Sequence, residues 1–332
     1  MSLASLITAI RSRRRLGWLA AMLILIVVAF GPLLVSRLLS NVGLVLLNRS
    51  LAQHGVTLDG SLADSNLMQA EQWLRTATEV DPGNRGAWRG LGYLYWATSH
   101  VSDALAAWRK VGTMSDEFVA RGEVLRTVQP EEAEAWLHRA LELDPQSCAA
   151  HMQLGLLYRE RDQPVDAARE YAACVMVVPE SLEAQTGLCN AWVSAGEPDR
   201  ALAAYQAAPS LLQEQAPMLA CAGVAYWSKQ NYVDAATYME RASSLVPDDG
   251  RYHQWLSLIY TRLGFYEKAL AQSLIAIELD PRRTDFWRQF GAVYLALGHR
   301  DEAISAYRMA LAIDPDDEAA RRALETLGVT SP

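Results

Sequence analysis

The sequence predicts an all-α protein: an N-terminal transmembrane helix, then an α-solenoid of about seven to eight helical hairpins closed by a C-terminal capping helix. Three observations predict it. Residues 16–36 run for 21 positions without a charge. Tyr158, Trp192, Tyr226, Tyr260 and Tyr294 recur every 34 residues, and Ala133, Ala167, Ala201, Ala235, Ala269 and Ala303 keep the same interval. Pro145, Pro179, Pro247, Pro281 and Pro315 share it too, skipping one beat at Gln213. One period held in three registers is the mark of stacked supersecondary units.

The elements follow in chain order. Residues 1–15 carry Arg11, Arg13, Arg14 and Arg15 and read as a cytoplasmic segment under the positive-inside rule. As a helix, 16–36 spans about 32 Å, enough to cross a hydrocarbon core of roughly 30 Å. A cleaved signal peptide is the alternative, but its shorter apolar region and small-residue cleavage site are not evident. The rule then places everything beyond the span outside the cytoplasm, with a cytoplasmic array as the alternative. Residues 37–64 form a juxtamembrane helix and linker. Within them, Val42, Gly43 and Leu46 mark a degraded first-helix face over 38–52, a partner for the helix expected from about Ser65 to Val80. The hairpins occupy 65–316, and 317–332 forms a polar capping helix and tail with Asp316, Asp317 and Glu318 at its positive end.

The last copy shows why the unit is a hairpin. Trp287, Phe290, Gly291 and Tyr294 fall on one helical face, Gly298 interrupts, Ala303, Tyr307 and Ala310 mark a second helix, and Asp314-Pro315 ends it. Small residues let two helices approach closely, and aromatics fill the space between their turns. These residues resemble the tetratricopeptide repeat pattern W-x2-L-G-x2-Y, A-x3-F, Pro. Trp88, Leu91, Gly92 and Tyr95 with Ala104 and Trp108 match it closely, as do His151, Leu154, Gly155 and Tyr158 with Ala167, Tyr171 and Pro179. Near 111–130 the spacing shortens, Val124 standing where a packing aromatic is expected, so the array should change pitch there.

Composition narrows the function. Of 332 residues about half are apolar and a fifth charged, which excludes wholesale disorder. Six arginines and no acid precede Asp59; the remainder holds 24 basic against 38 acidic residues, a net −14 that disfavours nucleic acid. Phosphate-loop, H-E-x-x-H and G-x-S-x-G motifs do not occur, and no histidine has a companion at metal-ligand spacing. No C-x-x-C pair occurs either. Cys148, Cys174, Cys189 and Cys221 read as buried thiols, with a Cys174–Cys189 bridge as the alternative. We therefore expect no enzyme, metal, cofactor or small-molecule substrate.

The resemblance implies a non-catalytic, membrane-tethered scaffold that binds a protein partner in a concave groove and serves assembly of an envelope or membrane complex. A permanent structural subunit of such a complex is the alternative. A cytoplasm-facing co-chaperone is weaker, because Tyr93 and Ala292 stand where that class places Asn after a basic residue. Carried onto this chain, the groove positions are Arg89, Tyr93, Trp96, Arg159, Trp227, Arg262 and Arg288. They imply an acidic or aromatic peptide segment as partner, beside the lipid bilayer met by 16–36.

Overall fold

The computed structural model describes residues 31–49 and 65–329, all helix and turn without a strand among them. Eighteen helices are described: α1 (Gly31–Arg49), α2 (Ser65–Val80), α3 (Arg85–Ala97), α4 (Val101–Arg109), α5 (Met114–Leu125), α6 (Pro130–Leu143), α7 (Cys148–Glu160), α8 (Pro164–Val177), α9 (Leu182–Ser194), α10 (Pro198–Ala207), the short α11 (Ser210–Gln213), α12 (Ala216–Ser228), α13 (Tyr232–Leu245), α14 (Gly250–Leu263), α15 (Tyr266–Leu279), α16 (Thr284–Leu297), α17 (Arg300–Ile313) and α18 (Glu318–Thr326). Two compact units divide them, one holding the described residues up to Arg121 together with His138–Pro145, the other Gly122–Leu137 and the chain from Gln146 onward.

Glycine and aromatic pairs set the packing in both units. A Cβ at Gly92 would lie 2.1 Å from the Trp108 ring, and one at Gly291 would lie 2.9 Å from Tyr307, so only glycine admits these rings. The turn after the first helix needs a left-handed residue. Gly264 and Gly298 supply it at φ 79° and 83°, while Ser99, Asp162 and Gln230 hold equivalent turns at φ 57–60°. Asn84, Ser147, Ser181 and Asp317 cap the following helices through their side chains, each worth about 1 kcal/mol.

The first position of the repeat pattern has a physical rule that includes its exceptions. The Trp88 and Trp287 indoles donate to Pro82 O and Pro281 O at 2.9 Å. Where the pattern departs from Trp, Gln185 Nε2 reaches Pro179 O at 3.0 Å and His253 Nε2 reaches Pro247 O at 2.9 Å. Any donor of the right reach serves. The copy with Gln213 at the closing-proline position inserts α11, and the Gln213 amide donates to Ala208 O at 2.8 Å.

Three expectations need correction. Val124 is 75% exposed; Gly122 makes the close approach, against Leu137, one position out of the register assumed. The partner of α2 begins earlier than position 38: Ser36 is fully buried, donates from Oγ to Ala77 O at 2.8 Å and accepts from Asn84 Nδ2 at 2.8 Å. The last residues assigned to the span thus belong to a repeat helix. Residues 1–30, which carry most of the expected anchor, and 50–64 lie outside the described residues. Finally, the cysteines are not thiols, nor is Cys174 joined to Cys189. Cys148 pairs with Cys174 inside the α7/α8 hairpin, and Cys189 with Cys221 between the first helices of neighbouring copies.

Candidate partner-binding face

The expected groove residues sit on first helices, and each unit arranges its own. In the first, Arg89, Tyr93 and Trp96 follow at helical spacing along one face of α3. Arg89 is ion-paired with Glu117. Tyr93 meets Trp108 edge-on at 5.5 Å, and burial pushes its hydroxyl pKa up. The Trp96 ring lies 6.1 Å from Trp108 and 4.0 Å beneath the Arg139 guanidinium. These half-buried rings belong to an aromatic cluster around the fully buried Trp108.

In the second unit the residues separate by environment. Trp227 packs against Tyr232 at 4.9 Å and Trp255 at 6.0 Å, with the Arg262 guanidinium 5.7 Å from its ring. Arg288 donates to Asp317 Oδ1 at 3.1 Å, tying the last first-helix to the cap. Arg159 and Arg262 are exposed and have no carboxylate within ion-pair distance among the described residues. Free positive charge is therefore confined to these two members of the expected set.

Residues missed in the sequence complete this face. A cavity of about 280 Å³ opens between α9, α12 and α14, lined by Thr186, Asn190, Pro217, Ala220, Val224, Arg251 and Trp255 among others. Thr186 Oγ1 is buried there without a hydrogen-bond partner. Arg251 is held by Asp249 at 2.6 Å, and its bonds depress the Asp249 carboxyl below the usual range. The signal was available: Thr186 and Asn190 occupy the repeat positions of Arg89 and Tyr93, but selecting for Arg and aromatics passed over them. The cavity accepts an apolar side chain and offers polar groups at its edge. Among the described residues no group of three or more His, Cys, Asp or Glu could hold a metal.

Asp317 gives this unit a pH signature. Burial alone would raise its carboxyl pKa, but the Ala320 N–H, the Arg288 charge and the Thr284 hydroxyl together hold it below the ordinary range. Because the folded value is depressed, the stabilisation is complete above the unfolded value of about 3.9 and is lost as pH falls through the folded one. Asp317→Asn keeps the cap but removes the ion pair with Arg288; it should cost up to about 1 kcal/mol at neutral pH and flatten the acid limb of stability measured by urea denaturation. An unchanged acid limb would remove Asp317 from this role.

Comparison with known proteins agrees with this architecture. Tetratricopeptide repeat family models match residues 222–282 and 284–326. Tetratricopeptide repeat protein 8 of Caenorhabditis elegans is 24% identical over 165 residues, covering 49% of this chain and 33% of that protein. Hsp70-Hsp90 organizing protein 3 of Arabidopsis thaliana is 32% identical over 113 residues, 33% of this chain and 20% of its own length. The chain thus spans about a third or less of the curated relatives it matches. Among solved structures, PilW, described as a widely conserved type IV pilus biogenesis factor, superposes with a TM-score of 0.57 at 16% identity, covering 63% of this chain and 98% of PilW.

Proposed function

This chain is a tetratricopeptide repeat protein, and from that premise we propose that it is a membrane-tethered scaffold which holds a protein segment on its first-helix face during assembly of an envelope or membrane complex. Proteins of this family are protein-interaction scaffolds. The observation that carries the reading is the cavity between α9, α12 and α14, where three consecutive first helices offer apolar walls and an exposed amide, with two arginines outside any ion pair, Arg159 and Arg262, on first helices of the same unit. An acidic or aromatic segment fits that chemistry, its apolar side chain in the cavity and its charge toward the guanidinium groups.

The location beyond the cytoplasm has two supports. Arginines crowd the N-terminal side of the apolar run, and two disulfides are characteristic of an oxidising compartment. A reporter fused after Pro332 should be active only outside the cytoplasm. Activity restricted to the cytoplasm would reverse the topology and favour the co-chaperone class.

The binding face is tested by Asn190→Arg combined with Arg262→Glu, both at exposed positions. Partner recovery from detergent-solubilised membranes, read by mass spectrometry, should drop by the equivalent of about 2–4 kcal/mol, a hot-spot loss, with helicity unchanged. Arg241→Glu, on a second helix and paired there with Glu214, is the control. If the control weakens recovery as much, the partner uses another surface.

A further inference from the structure

The cavity between α9, α12 and α14 is held on one side by a covalent bond. Thr186 and Asn190 line it from α9, Ala220, Cys221 and Val224 from α12, and Trp255 from α14. Cys221 is also half of the bridge to Cys189 on α9. The disulfide thus fixes the spacing of two of the three helices that wall the cavity, and one of its own residues is part of the lining. Cys148–Cys174 stays inside the α7/α8 hairpin and joins none of them.

The neighbouring joints hold without such a bond. Between α12 and α14, Trp227 packs against Trp255 at 6.0 Å. Between α14 and α16, the Gln254 amide donates to Asp285 at 3.0 Å and the Gln289 amide to Ser257 at 3.3 Å. Cys221, Trp255 and Gln289 occupy one repeat position, so the disulfide stands where the following copies place a side-chain contact. Among the described residues no side-chain hydrogen bond, ion pair or ring pair joins α9 to α12. The buried core around the bridge includes Ala201, Ala208, Ala222 and Ala225, short side chains that offer few atoms for contact. The chain between the two helices also leaves the repeat pattern at α11. Here the bond does what interlocking side chains do elsewhere.

We propose that the Cys189–Cys221 bond licenses partner binding: with free thiols the repeats fold but α9 and α12 do not hold the cavity in the shape that seats a partner's side chain. The bond forms by exchange. One cysteine thiolate attacks a donor disulfide and releases one donor thiolate, and the second cysteine thiolate displaces the other. The pair gives up two protons and two electrons, and the donor disulfide becomes two thiols. Cys189 and Cys221 are 0% and 1% exposed, so a thiolate cannot reach either sulfur once the helices have closed. The bond is therefore a single maturation step, completed where donor disulfides are supplied, and binding competence is acquired there. This rests on the proposed binding face, and the test separates the two.

The full chain in detergent is prepared oxidised, and again after unfolding, reduction and refolding in reductant. The probe is a synthetic peptide of one p-benzoylphenylalanine flanked by aspartates, photo-crosslinked and mapped by mass spectrometry. A second chain carrying Cys148→Ser with Cys174→Ser keeps Cys189–Cys221 as its one bridge. Coupling between two sites in a protein typically spans about 5–150-fold, so crosslinks on α9, α12 and α14 should fall by about tenfold or more on reduction. The fall is expected in both chains, with recovery on adding oxidised glutathione. Equal crosslinking of the oxidised and reduced forms of the double-serine chain overturns the proposal and leaves the binding face standing. Amide exchange on α15–α17 checks the fold; loss of protection there on reduction shows that the bond sustains the whole unit, and also overturns it. Absence of crosslinks on α9, α12 and α14 in the oxidised chain removes the binding face and this inference with it.

Discussion

Replacing Cys189 and Cys221 together by serine should cost the second unit about 3–4 kcal/mol, the chain-entropy value for a closed loop of this length. The two residues are 32 apart in sequence and join α9 to α12. Between them lie α10 and the inserted α11, the stretch where Gln213 replaces the closing proline. In this unit α8, α13, α15 and α17 are each followed by a proline at the repeat position, whereas here Gln213 stands at that position and α11 is inserted. The bridge holds the flanking first helices directly across this insertion. The loss should appear as faster amide exchange across α9–α12, with helices α14–α17 much less affected, because repeat stability is a sum of local and nearest-neighbour contributions. Reductant should bring the unmodified chain toward the variant, the remaining difference reporting Cys148–Cys174, which closes a separation of 26. Exchange across α9–α12 that ignores both reductant and substitution would show that this bridge does not restrain the irregular copy.

The hairpins were legible in the sequence because close helix approach restricts residue choice at fixed positions, as Gly92 against Trp108 and Gly291 against Tyr307 illustrate. Partners supplied by the next element were not. Arg89 and Arg288 carry the expected charge, yet Glu117 on α5 and Asp317 before α18 neutralise them, each acid standing 28 or 29 residues further along the chain. The disulfides failed for a related reason. The cysteines read as buried thiols with a Cys174–Cys189 bridge as the alternative, whereas antiparallel packing places the start of α7 beside the last turns of α8 and so brings Cys148 to Cys174. At the N-terminus, the expected membrane span and an apolar repeat helix share one composition. The burial of Ser36 and its bonds to Ala77 and Asn84 show that the repeat helix already includes that residue.

Tyr171 provides the sharpest test of how two copies lock together. Its ring is 1% exposed and lies between Gly155 on α7 and Gly187 on α9, where added Cβ atoms would come within 2.7 and 2.8 Å of it. One side chain thus fills the contact within a hairpin and between hairpins. Tyr171→Ala should cost about 3–5 kcal/mol, the range for deleting a buried aromatic, and should loosen both α7/α8 and α8/α9. The hydroxyl behaves oppositely. It is buried without a hydrogen-bond partner, and burial pushes its pKa up. Removing an orphaned polar group relieves a desolvation cost of about 1–3 kcal/mol, so Tyr171→Phe should leave stability unchanged or raise it. Tyr158 is the control, because its hydroxyl donates to Glu134 at 2.8 Å. Tyr158→Phe gives up a hydrogen bond to a charged acceptor, worth about 1.5–3 kcal/mol. Urea denaturation of the three variants should therefore order them as Tyr171→Phe, then Tyr158→Phe, then Tyr171→Ala from most to least stable. A Tyr171→Phe variant less stable than Tyr158→Phe would mean that the Tyr171 hydroxyl has a partner in solution and that the ring alone does not hold the two copies together.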